Sequence, residues 1–344
     1  MRAIAKQTAA AGAELIEAPM PQPTSHQVVV KVKATSICGT DVHIYNWDAW
    51  AQSRVKPPMI FGHECSGEVV EIGKQVHNIK VGDHVALETH IPCGHCFQCQ
   101  TGLMHICKNL QIVGVDRPGC FAEYIAIPEI CCVKQDKTLP WEMASILEPL
   151  GNAVYTVSEG QVSGKTVAVF GDGPIGIFAV ALCKVYGASK IIVCGLQPYR
   201  LEMARSFGPD HVLNVGQVNA QEAIMDITSG DGVDVVLEMS GSPIAIKDGF
   251  AVLKRGGTFV AFGIPSKPVE INFANDLIFK AATVKSINGR KMFSTWHEMQ
   301  NLVLSGRLDV SRVVTHQMPL EKINDAMALL NSKEIKVGKI VLKP

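Results

Sequence analysis

The chain has 344 residues, 47% hydrophobic and 19% charged, which favours about two domains of ordinary globular composition. Its 32 basic and 32 acidic side chains cancel, so no overall field draws in nucleic acid or an anionic membrane, and a small, nearly neutral metabolite is the expected partner. Eleven cysteines follow a start, Met1-Arg2-Ala3-Ile4-Ala5-Lys6, with no apolar leader segment, which fits reduced thiols in a cytoplasm better than a disulfide framework.

Runs rich in β-branched residues at Val28 to Val32, Glu68 to Ile72, His84 to Leu87 and Tyr124 to Ile127 alternate with Gly, Pro and Asn/Asp positions. They predict a strand-rich, barrel-like first domain. From about Lys165 the pattern changes. Apolar runs at Val167 to Phe170, Ile191 to Val193, Val212 to Val215, Val233 to Leu237, Thr258 to Phe262 and Thr283 to Ile287 are linked by helical stretches near Ile175 to Tyr186, Arg200 to Phe207, Ala220 to Thr228 and Pro243 to Leu253. Such alternation predicts a parallel, doubly covered sheet. The most apolar stretch, Thr166 to Cys183, carries Asp172, Pro174 and three glycines, so it reads as strand, loop and helix rather than a membrane span. The tail holds helical stretches at Trp296 to Leu304 and Leu320 to Leu330 and a last strand at Lys339 to Leu342.

Four cysteines, Cys93, Cys96, Cys99 and Cys107, follow a C-x2-C-x2-C-x7-C spacing. Four thiolates saturate a tetrahedral zinc and leave no position for substrate, so this is a structural site. A ferredoxin-type cluster prefers a shorter last gap followed by proline, whereas Lys108 follows here. A nucleic-acid zinc knuckle needs basic neighbours, yet Val81 to Cys107 contains no Lys or Arg. The remaining cysteines, Cys65, Cys120, Cys131, Cys132, Cys183 and Cys194, lie in apolar runs and read as small core residues. Upstream stand Cys38 and the triplet Gly62-His63-Glu64, a thiol, imidazole and carboxylate that could form an open metal site with a position free for chemistry. Spacing alone does not decide this, because a buried thiol and a hydrogen-bonded histidine are commoner than a ligand pair.

Gly171-Asp172-Gly173-Pro174-Ile175-Gly176 is a G-x-G-x-x-G between a predicted strand and a predicted helix, the context in which it binds the pyrophosphate of a dinucleotide. The end of the second strand should offer an acidic residue to the adenosine ribose. Here it reads Cys194-Gly195-Leu196-Gln197, with Arg200 close by to pair with a 2′-phosphate or simply to cap the next helix, so NAD and NADP both remain open.

Gly62-His63-Glu64-x2-Gly67-x5-Gly73-x2-Val76 resembles the zinc signature of medium-chain alcohol dehydrogenases, and the cysteine lobe and glycine fingerprint follow in that family's order. Within the family, Cys38 to Asp48, Gly114 to Tyr124, Glu148 to Val154 and Gly289 to Trp296 resemble the corresponding runs of the bacterial L-threonine 3-dehydrogenase group. The resemblance implies an α/β architecture: a GroES-like β-barrel catalytic domain at 1–152 and 294–344, with the structural zinc lobe at 90–110, around a Rossmann dinucleotide-binding domain at 153–293. It also implies a homotetramer. By position, Cys38, His63 and Glu64 become ligands of a catalytic zinc, Glu148 lies beside it as ligand or relay carboxylate, and Thr40 and His43 form a proton relay.

The cofactor contacts so implied are Gly171, Gly173, Pro174, Ile175, Gly176, Gly195, Arg200, Phe262, Gly263, Ile264, Ser286 and Ile287, and His90 and Arg290 are substrate candidates. The implied activity is NAD(P)-dependent oxidation of a secondary alcohol, the C3 hydroxyl of L-threonine, to give 2-amino-3-oxobutanoate. A polyol or 2,3-butanediol dehydrogenase of the same family is the alternative, since such substrates need no groups for a carboxylate or ammonium. A non-catalytic, zinc-stabilised dinucleotide-binding protein is the alternative of another class; loss of Cys38, His63 or Glu64 would mark it, and all three are present.

Overall fold

The computed structural model describes residues 1–344, which divide into two compact units, Met1–Pro149 with Val314–Pro344, and Leu150–Val313. The stretch 294–313, expected with the first domain, groups with the second unit. Its helix Ser294–Leu304 is tied to that unit through Glu298, whose Oε1 accepts from Ser158 Oγ at 3.2 Å and Tyr186 Oη at 2.5 Å.

In the first unit a long strand, Gln27–Ser36, organises a seven-stranded sheet. It pairs antiparallel with Glu64–Ile72, with Tyr124–Pro128 and, from the chain's far end, with Lys339–Lys343. Gln27–Ser36 is almost wholly buried, so its Val-rich sequence is continuous rather than alternating. Two consequences matter for chemistry. The pairing Ser36↔Glu64 sets the end of one strand against the start of the next, and Val341↔Ser36 brings the C-terminal strand to the same point. One apolar cluster, including Val28, Val30, Val69, Val85 and Ile127, fills one side; another, including Ile4, Ile44, Phe61, Phe121 and Leu342, fills a second.

The second unit is a six-stranded, wholly parallel sheet in the order His211–Asn214, Lys190–Gly195, Thr166–Phe170, Val233–Glu238, Leu253–Ala261, Thr283–Ser286. All six predicted runs are strands, linked by helices Pro174–Val185, Pro198–Arg205, Ala220–Ile227 and Pro243–Val252. The strand order reverses beside Thr166–Phe170, the switch point at which doubly wound sheets bind ligands. No helix is long and apolar enough to cross a membrane.

Candidate metal centres and cofactor site

Cys38 caps helix Gly39–Asn46, and its backbone N–H donates to Asp41 Oδ2 at 2.9 Å. An acidic residue in a first turn suits the helix dipole and its unpaired N–H groups. Asp41 is nevertheless wholly buried, and its other oxygen lies 3.5 Å from His63 Nδ1. One carboxylate thus accepts from the cysteine's turn and faces the histidine's ring, a placement the motifs alone do not disclose. An acidic residue three positions after Cys38 is a local signal of a helix start, but its reach to His63 leaves none. Burial disfavours a charged His63, yet the Asp41 carboxylate and Cys38 thiolate beside it raise its pKa well above the usual value.

Glu64, also wholly buried, accepts through Oε2 from Ser36 Oγ and from Lys339 Nζ. Lys339 Nζ donates in addition to the Ile37 carbonyl at 2.9 Å. Burial opposes this ammonium, but Glu64, Cys38 and Glu148 outweigh it and raise the pKa. The Cys38 sulfur, a His63 nitrogen and a Glu64 oxygen all lie within 4.8 Å of one another. Glu64 Oε1 is buried without a hydrogen-bond partner. A converging thiol, imidazole and carboxylate with an unsatisfied buried oxygen fit a zinc ion, because a cation satisfies what no protein donor does. Glu148 is buried and near enough to act on Lys339 but lies outside this triad.

Thr40 Oγ1 stands 3.9 Å from Cys38 Sγ, and His43, one turn on along the same helix, is exposed with Nδ1 against Asp48 Oδ2. His90 is buried on a strand paired with Gln111–Ile112, its backbone N–H donating to Glu88 Oε1 at 2.8 Å. Arg290 is almost fully buried and donates to Asn152 Oδ1 at 3.2 Å, a structural contact within its own unit.

The sulfurs of Cys93, Cys96, Cys99 and Cys107 converge within 4.8 Å in a lobe that leaves and rejoins the fold through paired strands His90–Ile91 and Gln111–Ile112. Backbone N–H groups of Cys93 and Asn109 both point at Cys107 Sγ from 3.3 Å, as thiolate ligands require. The backbone N–H of His95 brings Cys93 down to about 6, while burial pushes Cys99 up to about 12. The set fits a closed structural zinc. The remaining six cysteines are buried and form no disulfide.

In the second unit, Gly171 has φ +126 and donates its N–H to Cys194 O at 2.8 Å, while Gly173 caps helix Pro174–Val185, which has Pro174 in its first turn. A Cβ on Gly176 would lie 2.1 Å from the Gly171 carbonyl, so the helix packs on the turn only because that side chain is missing. Gly263 similarly leaves 2.0 Å between its would-be Cβ and Gly241 N, drawing the Phe262-Gly263-Ile264 turn against the loop after Val233–Glu238. Ser286 and buried Ile287 end the neighbouring strand. The implied cofactor residues therefore gather along the C-terminal edge of the sheet, the edge at which doubly wound sheets generally take ligands.

Gly195 ends its strand with no side chain of its own. Asp172 from the glycine turn lies there instead, its carboxylate carbon and Oδ2 2.7 Å from where a Gly195 Cβ would be.

The family model for the alcohol dehydrogenase GroES-like domain matches residues 24–140, and that for zinc-binding dehydrogenase matches residues 174–305. The chain belongs to the zinc-dependent medium-chain alcohol dehydrogenases. This dehydrogenase is 46% identical over 344 residues to the L-threonine 3-dehydrogenase of Bacillus subtilis (strain 168), with 100% of this chain and 99% of the relative covered. It is similar to solved 2R,3R-butanediol dehydrogenase from Bacillus subtilis, at 29% identity and TM-score 0.88, covering 100% of this chain and 99% of that one. A chain from Sinorhizobium meliloti 1021, solved bound to NADP, superposes at TM-score 0.90 with 28% identity over 100% of this chain and 99% of its own. The dehydrogenase thus combines a GroES-like domain with a Rossmann domain.

Proposed function

We propose that this dehydrogenase oxidises the C3 hydroxyl of L-threonine to the ketone, giving 2-amino-3-oxobutanoate, with a nicotinamide dinucleotide accepting the hydride. The observation that carries the chemistry is the convergence of Cys38, His63 and Glu64 within 4.8 Å, with an unsatisfied carboxylate oxygen among them. The substrate is supported by the 46% identity to a threonine 3-dehydrogenase along the whole chain.

The Met1–Pro149 and Val314–Pro344 unit takes the zinc chemistry, and the Leu150–Val313 unit takes the dinucleotide. Cys38, His63 and Glu64 would hold a catalytic zinc, with Glu148 beside it, and Cys93, Cys96, Cys99 and Cys107 would hold a structural one. A bound zinc acidifies an oxygen ligand, lowering the pKa of water from about 15.7 to about 7, and an alcohol similarly. Asp41 orients His63, and Ser36 and Lys339 hold Glu64 so that its second oxygen remains for the metal.

The hydroxyl proton leaves through Thr40, which both accepts and donates, to His43, whose exposure lets it release the proton to water. A bound nicotinamide dinucleotide would supply the acceptor for the hydride from C3, leaving the ketone once the hydroxyl proton has gone. The glycine turn would hold that dinucleotide, and alignment would be the protein's contribution.

Initial rates with L-threonine, 2,3-butanediol and sorbitol, each with NAD and NADP, test the assignment. Threonine turns over fastest on this reading. Diol turnover without threonine turnover favours the second reading, a butanediol dehydrogenase, which the structural similarity supports. The family resemblance further supports a homotetramer, and eleven free cysteines suit a reducing cytoplasm; light scattering of the zinc-loaded protein reads the assembly.

A further inference from the structure

In a doubly wound sheet the adenosine ribose lies at the end of the second strand, and an acidic side chain there receives its hydroxyls. In this chain that strand is Lys190–Gly195, and its last residue has no side chain. A Cβ at Gly195 would lie 2.5 Å from Asp172 Cβ and 2.7 Å from its carboxylate carbon and Oδ2. A carboxylate from the glycine turn therefore stands at the strand end, and glycine at 195 is what makes room for it.

Asp172 is also firmly held. Its Oδ2 accepts the consecutive backbone N–H groups of Leu196 at 2.7 Å and Gln197 at 2.6 Å. Successive amides of this kind are the donors a phosphate oxygen would use, and here a carboxylate already occupies them. Arg200 lies on the first turns of the next helix, Pro198–Arg205, where burial lowers its pKa and the nearby Asp172 carboxylate opposes that fall. The cation that could receive a 2′-phosphate thus already interacts with a fixed anion.

We propose that Asp172 selects NAD(H) against NADP(H): its carboxylate, standing in the volume vacated by Gly195, accepts from the ribose 2′-hydroxyl, blocks the Leu196 and Gln197 amides and repels a 2′-phosphate. The inference deepens the dinucleotide part of the proposed function and does not depend on which alcohol is oxidised.

Direct binding tests it. NADH and NADPH are titrated into the zinc-loaded protein without alcohol, following nicotinamide fluorescence. The wild type binds NADH at least tenfold more tightly. Asp172→Asn keeps an oxygen for the two amides but removes the charge, and Asp172→Ser vacates the site. In both, the NADH-to-NADPH affinity ratio falls at least tenfold because NADPH gains.

Equal affinity for the two in the wild type overturns the inference. So does an unchanged ratio in both variants, or an equal weakening of both cofactors, which makes Asp172 a brace of the turn and nothing more. Retained NADH preference without threonine turnover leaves the inference standing and removes the substrate assignment. Absence of binding by either dinucleotide overturns both readings.

Discussion

Asp41 links two residues that lie far apart in sequence, donating nothing and accepting from the start of one helix while facing the ring of His63. Carboxylates behind a metal-binding histidine fix its orientation and raise its basicity, and losing one typically costs about 10–100-fold in metal affinity. Asp41→Asn is therefore expected to weaken zinc at the open site by about that factor, leaving the four-cysteine site intact, as competition with a chromogenic chelator would report. Thr40 and His43 carry a separate prediction. If they pass the substrate proton outward, His43→Ala lowers kcat by about 100-fold or more, the usual scale of general acid–base catalysis, with zinc content unchanged. An unaltered kcat would remove His43 from the relay.

At the scale of elements, the glycine turn and its helix are held by a contact rather than by propensity. Gly176→Ala would drive a methyl to 2.1 Å from the Gly171 carbonyl, a backbone atom that cannot swing away. Overpacking of this kind costs about 1–3 kcal/mol. The variant is expected to unfold at lower temperature and to lose NADH affinity, read by thermal melts and fluorescence titration.

A second element is pinned by charge. Glu129 Oε1 accepts the backbone N–H groups of His77 at 2.9 Å, Asn78 and Ile79 at 3.2 Å, tying that turn to the barrel-like unit. Partial burial opposes ionisation, but these donors win and hold the carboxyl below its ordinary pKa. A depressed folded-state value means the contribution is complete above the unfolded pKa of about 4.3 and is lost as pH falls through the folded one. Glu129→Gln should cost about 1 kcal/mol in urea unfolding at neutral pH, a gap that closes in acid.

Across the whole molecule, what the sequence disclosed was what local pattern can encode. Six apolar runs separated by helical spacing gave the parallel sheet, and the cysteine spacing alone identified a four-sulfur lobe. What escaped were pairings made by strand ends meeting in space. Lys339 reaches Glu64 only because the last strand docks on Gln27–Ser36, and a lysine 275 positions away leaves no local trace. In the sequence Asp172 is only an unspecified position of the glycine motif, whereas in space it lies against Gly195. The stretch 294–313 misled for a related reason, since amphipathic spacing marks a helix without saying which core receives it.

The central claim is that the Cys38, His63 and Glu64 site holds the ion that makes this chain an alcohol dehydrogenase, while the four-cysteine site only supports the fold. The most direct measurement is zinc content and threonine turnover of the wild type and Cys38→Ser, side by side with NADH binding. The account predicts two zinc per chain falling to one, turnover lost and NADH binding retained. A Cys38→Ser protein that carries one zinc fewer and still turns threonine over at the wild-type rate would contradict it.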